Sequence, residues 1–160
     1  MEKNENPIEN NQSVEQGQSL VEFAMVLPLL LLVALGVVEF GRAYYQYNTL
    51  TKAVREGARY MSIHAYDTDE LTRAKNMTVF GNREGTGSPC LPGLAVGNIV
   101  VTPRNPSSGT SPTNPPRWVN VSVTGYNFQP LFTKVVPIGN FAFSPSVEMR
   151  YVGLNARLDQ

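Results

Sequence analysis

An apolar run of membrane length, Leu20 to Phe40, limits this chain more than any other feature. It is 21 residues long, with Glu22 near its start, Glu39 at its end and Pro28 inside it. As a helix rising about 1.5 Å per residue it covers about 31 Å, close to the roughly 30 Å hydrocarbon core of a bilayer. That length fits a spanning helix better than a core helix of a small domain. Glu22 and Glu39 would then lie near the two membrane faces. A carboxylate at the bilayer centre costs roughly 2.5–3.5 kcal/mol on insertion scales. Toward the end the cost falls, yet a charge there still calls for a purpose. Pro28 lacks a backbone donor and should kink the helix, which a membrane helix tolerates when the freed carbonyl finds another partner.

The competing reading is a cleaved secretory signal, since Ala34-Leu-Gly36 offers a small-x-small site after an apolar core. Two features oppose it. Met1–Gly17 carries Glu2, Glu5, Glu9 and Glu15 against Lys3 alone, the wrong charge for a secretory leader. The helical pattern also continues past Gly36. The reading is therefore an anchored chain. It divides into an acidic leader (1–17), a transmembrane plus amphipathic helix (18–62) and a C-terminal domain (63–160).

Phe40, Tyr44, Tyr47, Thr51, Val54, Ala58 and Met61 follow a 4-3 spacing that predicts one apolar stripe on the continuing helix. Covering by the chain's own strands is the expected fate of that stripe, ahead of a seam with a partner helix. Tyr44, Tyr45 and Tyr47 also stand where an interfacial aromatic belt would lie. Arg42, Lys52, Arg55 and Arg59 are interleaved with apolar residues, and with net charge +0 the chain offers no electrostatic case for nucleic acid. Asp67-Thr-Asp-Glu70 predicts a capped second helix ending near Gly81. A metal at Asp67, Asp69 and Glu70 would need distal ligands that the spacing does not supply. Trp118 to Gly125 and Val147 to Tyr151 alternate with the period of half-buried strands, and Ile99 to Thr102 forms a short apolar strand. Gly/Pro/Ser-rich loops separate them, the longest from Pro106 to Pro116. A long helix followed by antiparallel strands implies an α+β fold with the helix packed on a small sheet.

Gly17-Gln-Ser-Leu-Val-Glu22-Phe23 resembles the processing site of type IV prepilins, where a peptidase cuts after the glycine. The longer run from Gly17 to Tyr60, 44 of 160 residues, resembles the TadE-like pseudopilins of tight-adherence pili. Ser146-Val-Glu-Met-Arg-Tyr151 is similar to a closing strand of that family. The resemblance implies a pilin-like plan and cleavage of the Gly17–Gln18 bond by a prepilin peptidase, with Phe23 part of the recognised motif. It further implies an assembly role for Glu22. Cleavage would leave an α-amino group on Gln18, mostly protonated at pH 7, about one helical turn from Glu22. Between neighbouring subunits that pair would set axial register; the plainer reading of Glu22 is a carboxylate favoured by a helix N-terminus.

Partners implied are the peptidase, other pseudopilins, the major pilin and an assembly platform in the bacterial inner membrane. Charge asymmetry alone would face the N-terminus outward, whereas the resemblance implies a C-terminal domain outside the cytoplasm. The alternative is an unprocessed single-pass envelope protein whose external domain binds a ligand or surface.

No enzymatic activity is expected. His64 and Cys90 are single copies without partner motifs, and no phosphate loop, zinc-protease or nucleophile-elbow motif occurs. No cofactor is expected either. The lone cysteine allows no internal disulfide.

Overall fold

The computed structural model describes residues 7–105, 116–132 and 139–153, with side chains in the first helix from residue 17 onward. The first six residues of the acidic leader and most of the Pro106–Pro116 loop therefore lie outside the described residues. Helix α1 runs from Pro7 to Ile63 and continues through Pro28. Proline suits the first helical position, where its missing N–H would lack a partner anyway. Helix α2 (Thr68–Phe80) follows, then strands β1 (Ile99–Arg104), β2 (Trp118–Val123), β3 (Tyr126–Phe128), β4 (Phe141–Phe143) and β5 (Ser146–Arg150). The chain forms two compact units. One comprises residues up to Gly41 with Leu131–Ile138, and the other Arg42–Pro130 with the residues from Gly139.

In the first unit the helix is apolar and bare. Every residue from 17 to 34 is exposed, and α1 is the one described helix long and apolar enough to cross a membrane. Leu35 and Gly36 are half-buried, and Glu39 is buried. These three positions share one face, being three and four residues apart.

The second unit is the α+β body. β1, β2 and β5 form an antiparallel sheet with β2 central, in register Val101↔Val121 and Val121↔Val147. β3 and β4 make a separate antiparallel pair. Val119, Val121 and Val123 of β2 point to one face and are fully buried. They join Leu50, Val54, Ala58 and Met61 of α1, Ala74 and Val79 of α2, and Phe128 in one hydrophobic cluster. Asp67 caps α2 as expected, its Oδ1 accepting the Glu70 N–H at 2.8 Å. Gly81 ends that helix with φ at 72°, in the left-handed region that favours glycine.

Helices α1 and α2 approach closely at Gly57. A Cβ built there would meet Thr78 Oγ1 with no room for either atom and stand 3.1 Å from the Ala74 carbonyl oxygen. Glycine in a helix interior costs about 1 kcal/mol against alanine, and here it allows the contact. The C-terminal end of α1 is satisfied by the chain's last described residues. The Val152 N–H donates to the Ser62 carbonyl at 2.8 Å, and the Tyr151 hydroxyl to the His64 carbonyl at 2.8 Å. Carbonyls at a helix end need such partners.

The stripe expected on α1 requires correction. Val54, Ala58 and Met61 are buried, but Phe40 is 73% and Tyr44 64% exposed, and Thr51 is only half-buried. The buried line runs instead through Ala43, Leu50, Val54, Gly57, Ala58 and Met61. A 4-3 repeat holds a 3.5-residue period, which drifts about 20° per heptad on a straight helix. That drift does not account for Phe40, which stands about five full turns from the buried Ala58 and faces the same way; at its level the buried positions are Glu39 and Ala43 instead.

Candidate functional site

The Gly17–Phe23 segment, expected from its sequence to be a processing site, lies on α1 as uninterrupted helix. Gly17, Gln18, Glu22 and Phe23 are all exposed. Gln18 and Glu22 share a face one turn apart, and the Gln18 Nε2 donates to Glu22 Oε1 at 3.3 Å. The backbone nitrogen of position 18 lies about one turn, roughly 6 Å along the axis, from position 22. A Cβ added at Gly17 would meet nothing within 4 Å, so packing does not require glycine there. The same holds for Gly36 and Gly41, so space alone does not single Gly17 out. What distinguishes it is position, immediately before the apolar run. A glycine in a helix interior is also the point where local unwinding is cheapest, and a peptidase needs its bond in extended form.

Glu39 behaves differently from Glu22. It is 1% exposed, and its Oε1 accepts two backbone N–H groups, from Leu131 at 2.5 Å and Phe132 at 3.0 Å. A buried carboxylate is tolerated when hydrogen bonds compensate its lost hydration. The sequence marks Glu39 only as a charge closing the apolar run. Its acceptor role depends on residues 92 and 93 positions away, which no local pattern reveals.

The remaining chemical candidates have structural occupations. His64 stacks on Tyr60 with ring centres 3.8 Å apart, and its Nδ1–H donates to the Tyr60 carbonyl at 2.7 Å. The Tyr60 hydroxyl donates to Glu70 Oε2 at 2.6 Å, while Glu70 Oε1 pairs with Arg73 at 2.6 Å. Burial, then the Glu70 hydrogen bond, raises the Tyr60 pKa above its ordinary value. Burial likewise pushes the Cys90 thiol up, which disfavours the reactive thiolate. Asp67 and Glu70 are engaged in capping and pairing, and no group of three His, Cys, Asp or Glu side chains among the described residues is placed to hold a metal.

Residues 17–59 match the family model described as TadE-like protein. The matched segment, 43 of 160 residues, contains Gly17, Glu22, Glu39 and Gly57 and ends within α1. It is consistent with a protein of the tight-adherence pilus system, anchored by a single N-terminal span. No curated protein and no solved structure matches the chain.

Proposed function

We propose that this chain is a minor, TadE-like pseudopilin, matured by a prepilin peptidase at the Gly17–Gln18 bond and assembled into a tight-adherence, type IV-like pilus. Its role is structural, without catalysis. The span holds it in the inner membrane with residues 63–160 outside the cytoplasm, where other pseudopilins, the major pilin and the assembly platform are its partners.

The observation that carries this reading is the placement of Glu22. It stands exposed at the mouth of a bare apolar helix, one turn from Gln18, and among the described residues only the Gln18 side chain bonds to it. Among the described residues, a carboxylate so placed serves nothing in the fold. Cleavage would create its natural counter-charge at Gln18. In a medium of low dielectric such a pair attracts more strongly than it would in water. Formed between neighbours, it rewards one axial offset over others.

The test is incorporation of Glu22→Ala into sheared pili. The variant should reach the membrane at the level of the unmodified chain and be cleaved, yet be missing from the pilus fraction. Normal incorporation would reject the assembly role. Gly17→Ala should block maturation; under the alternative of an unprocessed ligand-binding envelope protein it would be silent.

A further inference from the structure

We propose that Leu131 and Phe132 form a second contact with the bilayer, a lip seated in the headgroup–acyl boundary, and that Glu39 holds it there. The inference rests on reading α1 as a membrane span. The lip and the span belong to the same compact unit.

Three observations converge on it. First, the Glu39 carboxylate binds the Leu131 and Phe132 N–H groups at the last turn of the apolar run. Helical side chains lean toward the N-terminus of their helix. The contact therefore lies at the level of Glu39 or on the span side of it. Second, Leu35 and Gly36, on the face of Glu39 and one turn closer to the membrane centre, are half-buried where residues 17–34 are all exposed. Cover on the helix begins inside the apolar run. Third, Leu131 is 66% exposed although held beside Glu39, and Val37, Val38 and Phe40 around the helix at the same level are exposed apolar residues too. Leu131 thus stands exposed at the level where the bare apolar stretch of the helix ends.

The chemistry explains why a side-chain acceptor is needed there. Irregular backbone at membrane depth carries N–H groups that lipid cannot satisfy, and such backbone survives only where the protein supplies acceptors. Glu39 Oε1 supplies one acceptor for two consecutive amides. Those bonds offset part of the hydration that the buried carboxylate has lost. An apolar side chain between them and the lipid then gains by burial, as interfacial anchors do when seated about 5–10 Å into the boundary.

The experiment uses the full chain in liposomes, with Cys90 replaced by serine and a single environment-sensitive fluorophore on cysteine at position 131 or, separately, position 30. Quenching by lipids spin-labelled near the headgroup or deep in the acyl chain reports depth, and iodide reports water access. The label at 131 should lose emission roughly twofold to the shallow quencher, with iodide protection. Glu39→Ala should abolish both while leaving the deep quenching at position 30 unchanged. Glu39→Gln, which keeps an acceptor oxygen, should retain most of the effect. A label at 131 open to iodide, with position 30 deeply quenched, overturns the lip and leaves the span intact. Protection at 131 that appears only when another pseudopilin is co-reconstituted also overturns it, assigning the patch to a protein. An unquenched label at 30 removes the span and the lip together.

Discussion

The two stretches of α1 obey one helical geometry and meet opposite surroundings. From Gly17 to Ala34 every residue is exposed, including nine large side chains of Leu and Val. From Leu50 to Met61 the apolar side chains Leu50, Val54, Ala58 and Met61 are fully covered by the second unit's own residues. Apolar content is higher in the first stretch, so hydrophobicity alone does not decide burial within a chain. What decides it is whether the apolar positions occupy one face or all faces. A helix apolar on one stripe finds its cover in a sheet, whereas one apolar all round needs lipid.

The sharpest way to break this contrast is the same truncation made twice. Leu50→Ala should lower the unfolding free energy of the α+β unit by about 2–5 kcal/mol, since it opens a cavity in a closed core. Leu30→Ala should leave that unfolding free energy unchanged, measured by urea titration in detergent. The converse pair uses charge: Leu30→Asp should oppose membrane insertion by roughly 2.5–3.5 kcal/mol. Fractionation of cells should then show loss of the membrane pool. Gly57→Ala comes next. The added methyl must displace Thr78 or separate the helices, an overpacking expected to cost about 1–3 kcal/mol. Thermal unfolding would show it, and a second change, Thr78→Ser, should not by itself rescue it, because serine keeps the Oγ that the methyl meets and the Ala74 carbonyl stands close as well. Asp67→Ala removes the α2 cap and should cost about 1 kcal/mol, again confined to the α+β unit.

The smallest effect is with pH. Burial raises the pKa of Tyr60, Tyr66, Tyr126 and Tyr151. The folded state therefore holds these phenol protons more tightly than the unfolded chain does. Their contribution is fully present below about pH 10, the ordinary tyrosine value, and is lost as pH rises through the higher folded values. Urea midpoints of the isolated membrane protein should fall above pH 10 in step with tyrosine ionisation followed by absorbance. Removing the acceptor of the Tyr60 hydroxyl with Glu70→Ala should shift part of that profile.

Much of this architecture was legible before the structure because it rests on local patterns. The apolar length of Leu20 to Phe40, the Asp67 cap with Gly81 as terminator, and the alternation of Val119, Val121 and Val123 each act within a few residues. β3 and β4 were not visible. Three-residue strands such as Tyr126–Phe128 and Phe141–Phe143 are too short to show a period. The aromatic residues Phe40 and Tyr44 misled because spacing gives the face of a helix but not which side is covered at each level, and near them the buried positions are Glu39 and Ala43. Leu50 carries the core position that the repeat assigned to Thr51. For the candidate site, the sequence supplies Gly17, Gln18, Glu22 and Phe23 as a linear motif. It does not supply the partnership of Glu39 with Leu131 and Phe132, because that is a contact between distant segments in which the ligands are backbone amides.

The central claim, a membrane-anchored pseudopilin matured at Gly17, is tested most directly by the N-terminal mass of the protein recovered from membranes of cells that express a prepilin peptidase. A chain beginning at Gln18, and absent when the peptidase gene is deleted, is the predicted result. A chain still carrying Met1–Gly17 in the presence of active peptidase, or one beginning at Val37 after signal-peptide cleavage, would contradict it.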